Sequence, residues 1–180
     1  MLHFFIPYDT NKKLLVNIDH HICNLPTPKH WAALMDGDAM FTFPDFGHSI
    51  IQYIKKYPKT GMFTCYASRC HYSWQRIEGA DPENPSIMYH ARIAEQQKLL
   101  PVEVQEINTR IAGHLMVIKK ETWLKVRQQV FQMAAQKNIL GVDTQISKAL
   151  LKNGYKIHLM KTIYMIHYLR MLTGQNKLIS

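Results

Sequence analysis

The chain has 180 residues, 47% of them apolar, and carries a net charge of +9 with histidine neutral. That length suits one domain with a real core, the apolar share excludes a disordered chain, and no apolar run approaches the ~20 residues of a membrane span. The basic residues are scattered, pairing only at Lys12-Lys13, Lys55-Lys56 and Lys119-Lys120. They read as a solvated surface rather than a specific nucleic-acid stripe.

Leu2 to Ile6 reads as a short buried strand closed by Pro7. Asp9, Thr10 or Asn11 can cap a helix over Lys12 to Cys23, with Leu14, Leu15, Ile18 and Ile22 at helical spacing. Pro26 and Pro28 end it, and Trp31 to Met35 is a second apolar run of strand length. Strand, helix and strand in this order allow a parallel crossover. Pro44 and Gly47 mark a loop before a helix over His48 to Tyr57, and Met62 to Ala67 reads as a strand.

Arg69 to Tyr89 has little regular pattern and holds Gly79, Pro82 and Pro85. A loop of this length inside a compact domain is usually functional or mobile. It carries His71, Tyr72, Trp74 and Arg76. Such aromatic rings stack on sugars and bases, and arginine pairs with phosphate, although packing on the domain is the simpler account. A helix is expected over Ile87 to Leu99, and Pro101 to Thr109 reads either way. Leu115 to Ile118 reads as a strand, Lys119 to Gln136 as the clearest helix, and Thr144 to Asn153 as another, closed by Gly154. Lys156 to Met160 and Ile163 to Tyr168 read as two strands, and Thr173 to Ser180 as a frayed tail. Alternating strands and helices predict an α/β fold with a mixed, mainly parallel sheet in a single domain, 1–180.

Cys23, Cys65 and Cys70 are too few and too scattered for a disulfide framework, and without a C-x-x-C they complete no zinc site with His71. His20-His21 diverge on a helix and are discounted as ligands. The N-terminal MLHFFIPYDT lacks the basic start and long apolar stretch of a secretory signal. The expectation is a cytoplasmic chain with its mature N-terminus close to Met1. Peripheral membrane contact and oligomeric state stay open.

In an α/β sheet, ligands bind beyond the carboxyl ends of strands, and Tyr8-Asp9 and Asp36-Gly37-Asp38 fall at such ends. Two neighbouring carboxylates repel unless a cation sits with them. Hard ions such as Mg²⁺ or Mn²⁺ take carboxylate oxygens together with substrate phosphates. An ordinary Asp-Gly turn with a solvated aspartate explains the same three residues, and the triplet alone favours that account.

The wider context changes the balance. The stretch WAALMDGDAMF, Trp31 to Phe41, resembles the D-x-D segment of GT-A glycosyltransferases. AGHLMVIKKETWLKV, Ala112 to Val126, resembles the family segment in which a small-residue turn leads to a strand and a helix. GVDTQISKALLKNGYKIHLMKTIYMIHYLR, Gly141 to Arg170, resembles its closing region, where an acidic residue opens a helix and a histidine comes near the end. The three segments keep the family order.

The resemblance implies a GT-A-like three-layer sandwich. It implies a glycosyltransferase that moves a sugar from a nucleotide-diphosphate-sugar donor to a glycan or other hydroxyl acceptor, assisted by Mn²⁺ or Mg²⁺. It places Pro7, Tyr8, Asp9, Asp36, Gly113 and His114 at the donor, Asp36, Asp38 and His167 at the metal, and Asp143 as general base. The usual Glu-Asp pair is Val142-Asp143 here, which puts the inverting outcome in doubt. Only about thirty residues precede Asp36, where the family has several more strand–helix units, so the nucleotide-binding half reads as shortened. That departure carries the alternative: a non-catalytic or degenerate GT-A-fold protein that binds a nucleotide, a glycan or a protein partner.

Overall fold

Apolar runs with turns at both ends become strands in this protein. In a computed structural model that describes residues 1–7, 13–135 and 141–168, Leu2–Phe5 forms β1, Trp31–Met35 β2, Met62–Ala67 β4 and Leu115–Lys119 β6. The stripes at helical spacing become α1 (Leu14–Cys23), α2 (Phe46–Lys56), α3 (Ile87–Lys98), α4 (Lys120–Ala135) and α5 (Val142–Lys152).

Two elements differ from the sequence expectation, and a third, β5, falls in a stretch that the sequence left open. Ala39–Phe41 forms a short strand, β3, directly after the aspartate turn, and Val104–Ile107 forms β5. The two strands expected at the end are one long strand, β7, over Ile157–His167. Lys161 and Thr162, which read as its interruption, have partners in the fold. Lys161 N–H donates to the Glu103 carbonyl at 3.2 Å, and Thr162 N–H donates to the Tyr53 hydroxyl at 2.9 Å. The expected frayed tail lies outside the described residues.

The chain forms two compact units, each assembled from three stretches. The first comprises Met1–Gly37, Lys59–Thr64 and Glu106–His158. The second comprises Asp38–Pro58, Cys65–Gln105 and the chain from Leu159. In the first unit the strand order is β1-β2-β6-β4-β7. β1 pairs in parallel with β2, and β6 runs antiparallel to both β2 and β4. β1, β2 and β4 therefore share one direction with β6 reversed between them. Gly61 N–H donates to the Lys156 carbonyl and, further along in the second unit, Ser68 N–H to that of Met165, both at 2.9 Å. The two contacts advance together, so β7 accompanies β4 in the same direction. The fold is α/β with a mixed sheet, in which most strands share a direction although three of the four registered pairs are antiparallel.

Helix α1 packs on β2 and α4, and α4 packs on β6 and α5. Their apolar stripes supply the first unit's core: Ile18, Ile22, Trp123, Val126, Val130 and Leu150 are buried with Ala32, Leu34 and Val117. Burial of each large aliphatic chain is worth about 1.5–3 kcal/mol. Asp19 ties the α1–α4 contact together, accepting from Trp123 Nε1 at 2.8 Å and Arg127 Nη2 at 2.7 Å.

In the second unit β3 pairs antiparallel with β7, Ala39 lying opposite His167, and β5 also pairs with β7. Phe43, Ala94 and Tyr164 form its core cluster, with Tyr66 and Ile77 against it. None of the three cysteines is in a disulfide, and Cys65 and Cys70 are buried. Burial pushes both thiols up, Cys70 to about 11, so neither is a thiolate near neutrality. No described helix is long and apolar enough to cross a membrane.

Candidate functional site

The first unit holds a cavity of about 230 Å³ beyond the carboxyl ends of β1 and β2. Its floor is apolar, from Leu14 and Ile18 of α1, Leu34 of β2 and Met116 of β6. Its rim carries Pro7, Asp36, Gly113 and Asp143. Those four belong to chain segments far apart in sequence, and all four are among the residues that the sequence resemblance assigns to donor binding or base catalysis. Tyr8 and Asp9 lie outside the described residues.

Local chemistry explains why these segments meet. Asp36 follows the last residue of β2, and its N–H donates to the His114 carbonyl at 3.2 Å. Gly113 stands before β6, and Asp143 is the second residue of α5. Ser147 links the two: its hydroxyl accepts from Ile111 N–H at 3.3 Å and donates to the Asp143 carbonyl at 2.7 Å. His114 is fully buried. It borders the Asp36 turn through its backbone, and Gly113 supplies the cavity wall.

Asp143 is half-buried at the start of α5, where Oδ1 accepts from Thr144 N–H at 2.6 Å. A helix N-terminus favours a carboxylate there. Two glycines make room for it. A Cβ at Gly113 would stand 3.0 Å from Asp143 Cβ, and one at Gly141 would stand 2.6 Å from Oδ1. The helix begins two residues earlier than the sequence expectation, and Gly141 occupies the N-cap.

Asp38 and His167 are together in the second unit. His167 is buried on β7, and its Nε2 lies 3.2 Å from Asp38 Oδ1. Its backbone N–H donates to Ser68 Oγ at 3.0 Å, and Tyr168 N–H donates to the Asp38 carbonyl at 2.8 Å. His167 Nδ1 is 2.8 Å from the Arg69 carbonyl oxygen. A carbonyl can only accept, so Nδ1 carries a proton. In the neutral ring Nε2 then presents a lone pair to a carboxylate oxygen. A proton on Nε2 or a cation between the two atoms resolves that opposition. An imidazole whose far N–H is held by a carbonyl is the usual support of a metal-binding histidine; the carboxylate oxygen suits Mn²⁺ or Mg²⁺, and the imidazole nitrogen favours the softer Mn²⁺ of the two. The donor set fits such an ion.

Arg69, whose carbonyl meets His167 Nδ1, has no sequence signal. It is fully buried, with Nη1 donating to Glu83 Oε2 at 2.8 Å, and among the described residues its Nε and Nη2 have no hydrogen-bond partner. Burial of a lone arginine is set by the tertiary fold, and no local pattern announces it. His20 and His21 meet edge to edge, and His21 stacks on Phe5. No protein-family model matches the chain, and no curated protein matches its sequence.

Proposed function

We propose that the protein is a glycosyltransferase of GT-A type, which moves a sugar from a nucleotide-diphosphate-sugar donor to an acceptor hydroxyl. The observation that carries this reading is the convergence of Pro7, Asp36, Gly113 and Asp143 on one cavity. A site at the carboxyl ends of β1 and β2 is also where α/β sheets bind ligands.

Asp143 is the base. Its carboxylate takes the proton of the acceptor hydroxyl as that oxygen attacks the anomeric carbon, while the bond from that carbon to the diphosphate breaks. Pro7, Asp36 and Gly113 line the donor, and the apolar floor excludes water from it. Asp38 and His167 would hold Mn²⁺ or Mg²⁺, and the ion would supply positive charge to offset that of the diphosphate leaving group. Tyr8, Asp9 and His114 complete the donor side in this reading.

The test is a screen of nucleotide sugars with Mn²⁺, read first as thermal shift and then as donor consumption. A metal-dependent shift and turnover by one donor, both lost in a folded Asp38→Ala variant, are expected. Full activity and metal response in that variant would refute the assignment.

One observation favours a second reading, a binding protein on the same fold. At about 230 Å³ the cavity falls below the ~300–1,000 Å³ of most small-molecule pockets. Calorimetry with nucleotide diphosphates, with and without Mn²⁺, separates the two. Metal-dependent binding favours the transferase, and no binding to any of them favours the second reading.

A further inference from the structure

The second unit contains a cavity of about 620 Å³, larger than the one assigned to the donor. Its walls come from the long middle loop, with Trp74, Arg76 and Glu78, and from Tyr66 of β4, Gln97 of α3 and Gln105 of β5.

The loop is held from several sides. Ser73–Gln75 forms a single 3₁₀ turn, with Gln75 N–H donating to the Tyr72 carbonyl at 3.0 Å and Arg76 N–H to that of Ser73 at 2.9 Å. Ile77 and Tyr66 pack on the Phe43–Ala94–Tyr164 cluster. The buried Arg69 holds Glu83, and His90, bonded to the Tyr164 hydroxyl through Nδ1, contacts the Asn84 carbonyl through Nε2 at 2.8 Å. Trp74 is fixed in plane by Tyr72, the rings stacked with centroids 5.5 Å apart and tilted by 12°.

We propose that this cavity binds a neutral saccharide. A flat, pre-oriented indole matches the apolar C–H face of a pyranose. Planar amides at Gln97 and Gln105, one guanidinium and one carboxylate supply donors and acceptors for its ring of hydroxyls. Arg76 and Glu78 offset each other in charge, and no lysine lines the space, so phosphate or acidic sugars gain nothing there. The volume lies within the range of small-molecule sites.

The experiment titrates the full chain with glucose, galactose, mannose, N-acetylglucosamine and disaccharides of each, by calorimetry and by tryptophan emission. Trp31 and Trp123 are buried at 5% and 0% exposure, so emission changes on binding report Trp74. Saturable binding of at least one sugar is expected. Trp74→Ala should weaken it about tenfold; Trp74→Phe should keep the binding and lose the emission change. Gln105→Ala, on an exposed position that folding tolerates, should also weaken it.

No binding of any sugar, or unchanged affinity in both Trp74→Ala and Gln105→Ala, overturns the site. It does so even if a nucleotide sugar is consumed, and the transfer reading then stands alone. Saccharide binding that is weakened in both variants supports the site, whether or not any donor is turned over.

Discussion

His167 presents Nε2 to Asp38 Oδ1 at 3.2 Å while its Nδ1 proton is held by the Arg69 carbonyl at 2.8 Å. A neutral imidazole facing an ionised carboxylate therefore sets acceptor against acceptor, and a bound cation would relieve that opposition. Manganese at a hundredfold excess over its Kd should stabilise the protein by about 2.7 kcal/mol, several degrees in Tm. Asp38→Asn should abolish that response. Because its amide can donate to Nε2, the same change should raise metal-free stability by about 0.5–1.5 kcal/mol. Differential scanning calorimetry with and without Mn²⁺ reads both effects. A variant less stable than the parent in metal-free buffer would mean that Nε2 already carries a proton.

Asp143 and Gly141 should act as one unit. Asp143→Asn removes the base and should lower kcat by about 10²–10⁴-fold with a minor change in Tm. Gly141→Ala places a Cβ against Oδ1 at 2.6 Å on an ordinary backbone, φ −57°. Oδ1 ends a side chain that can turn away, so the cost should be about 0.5–1.5 kcal/mol, that of its bond from Thr144 N–H. In an Asp143→Ala background most of that cost should vanish, a coupling that urea unfolding of the four proteins measures. Additive effects would place the clash elsewhere.

Glu83 neutralises a guanidinium that is fully buried, although its own side chain is 47% exposed. Removing one partner of a fully buried pair costs about 3–5 kcal/mol. Water at the exposed Glu83 side reduces that, and Glu83→Ala should cost about 1–3 kcal/mol. Arg69→Met should cost less than Glu83→Ala, since it leaves no uncompensated charge. Chemical denaturation of the two variants gives the order.

Acid should weaken the fold in two stages. Burial lowers the His158 pKa from 6.5, with Glu106 opposing and Lys156 assisting. Its proton is therefore taken up by the unfolded chain first, and stability should fall as pH drops below 6.5. Glu106 is held below 4.5, chiefly by the Lys156 hydrogen bond, so its contribution is present above that pH and is lost as pH falls through its lowered folded value. His158→Gln should flatten the first stage and leave the second. An unchanged Tm profile between pH 7 and pH 5 in the variant would assign the first stage to another group.

Sequence made β2 legible as an unbroken apolar run between turns, and β4 as one interrupted only by Thr64. β3 is three residues long, and β5 exposes two of its four, so neither generates a period. β7 reads as two strands because Lys161-Thr162 breaks its apolar run, and the partners of that break, Glu103 and Tyr53, lie more than fifty residues away. At the site, Asp36, Gly113 and Asp143 are visible as acidic and glycine positions next to strand and helix ends. Arg69 and the large cavity are not, because both depend on which distant side chains close over them.

The strands β4 and β7 begin in one compact unit and finish in the other, and each unit is sewn from three separate stretches of chain. No single break in the gene releases either unit whole. Recombination therefore cannot trade one unit for a homologue's as a cassette, so their histories are joined: change on this scaffold must come by substitution, or by growth and trimming in the loops.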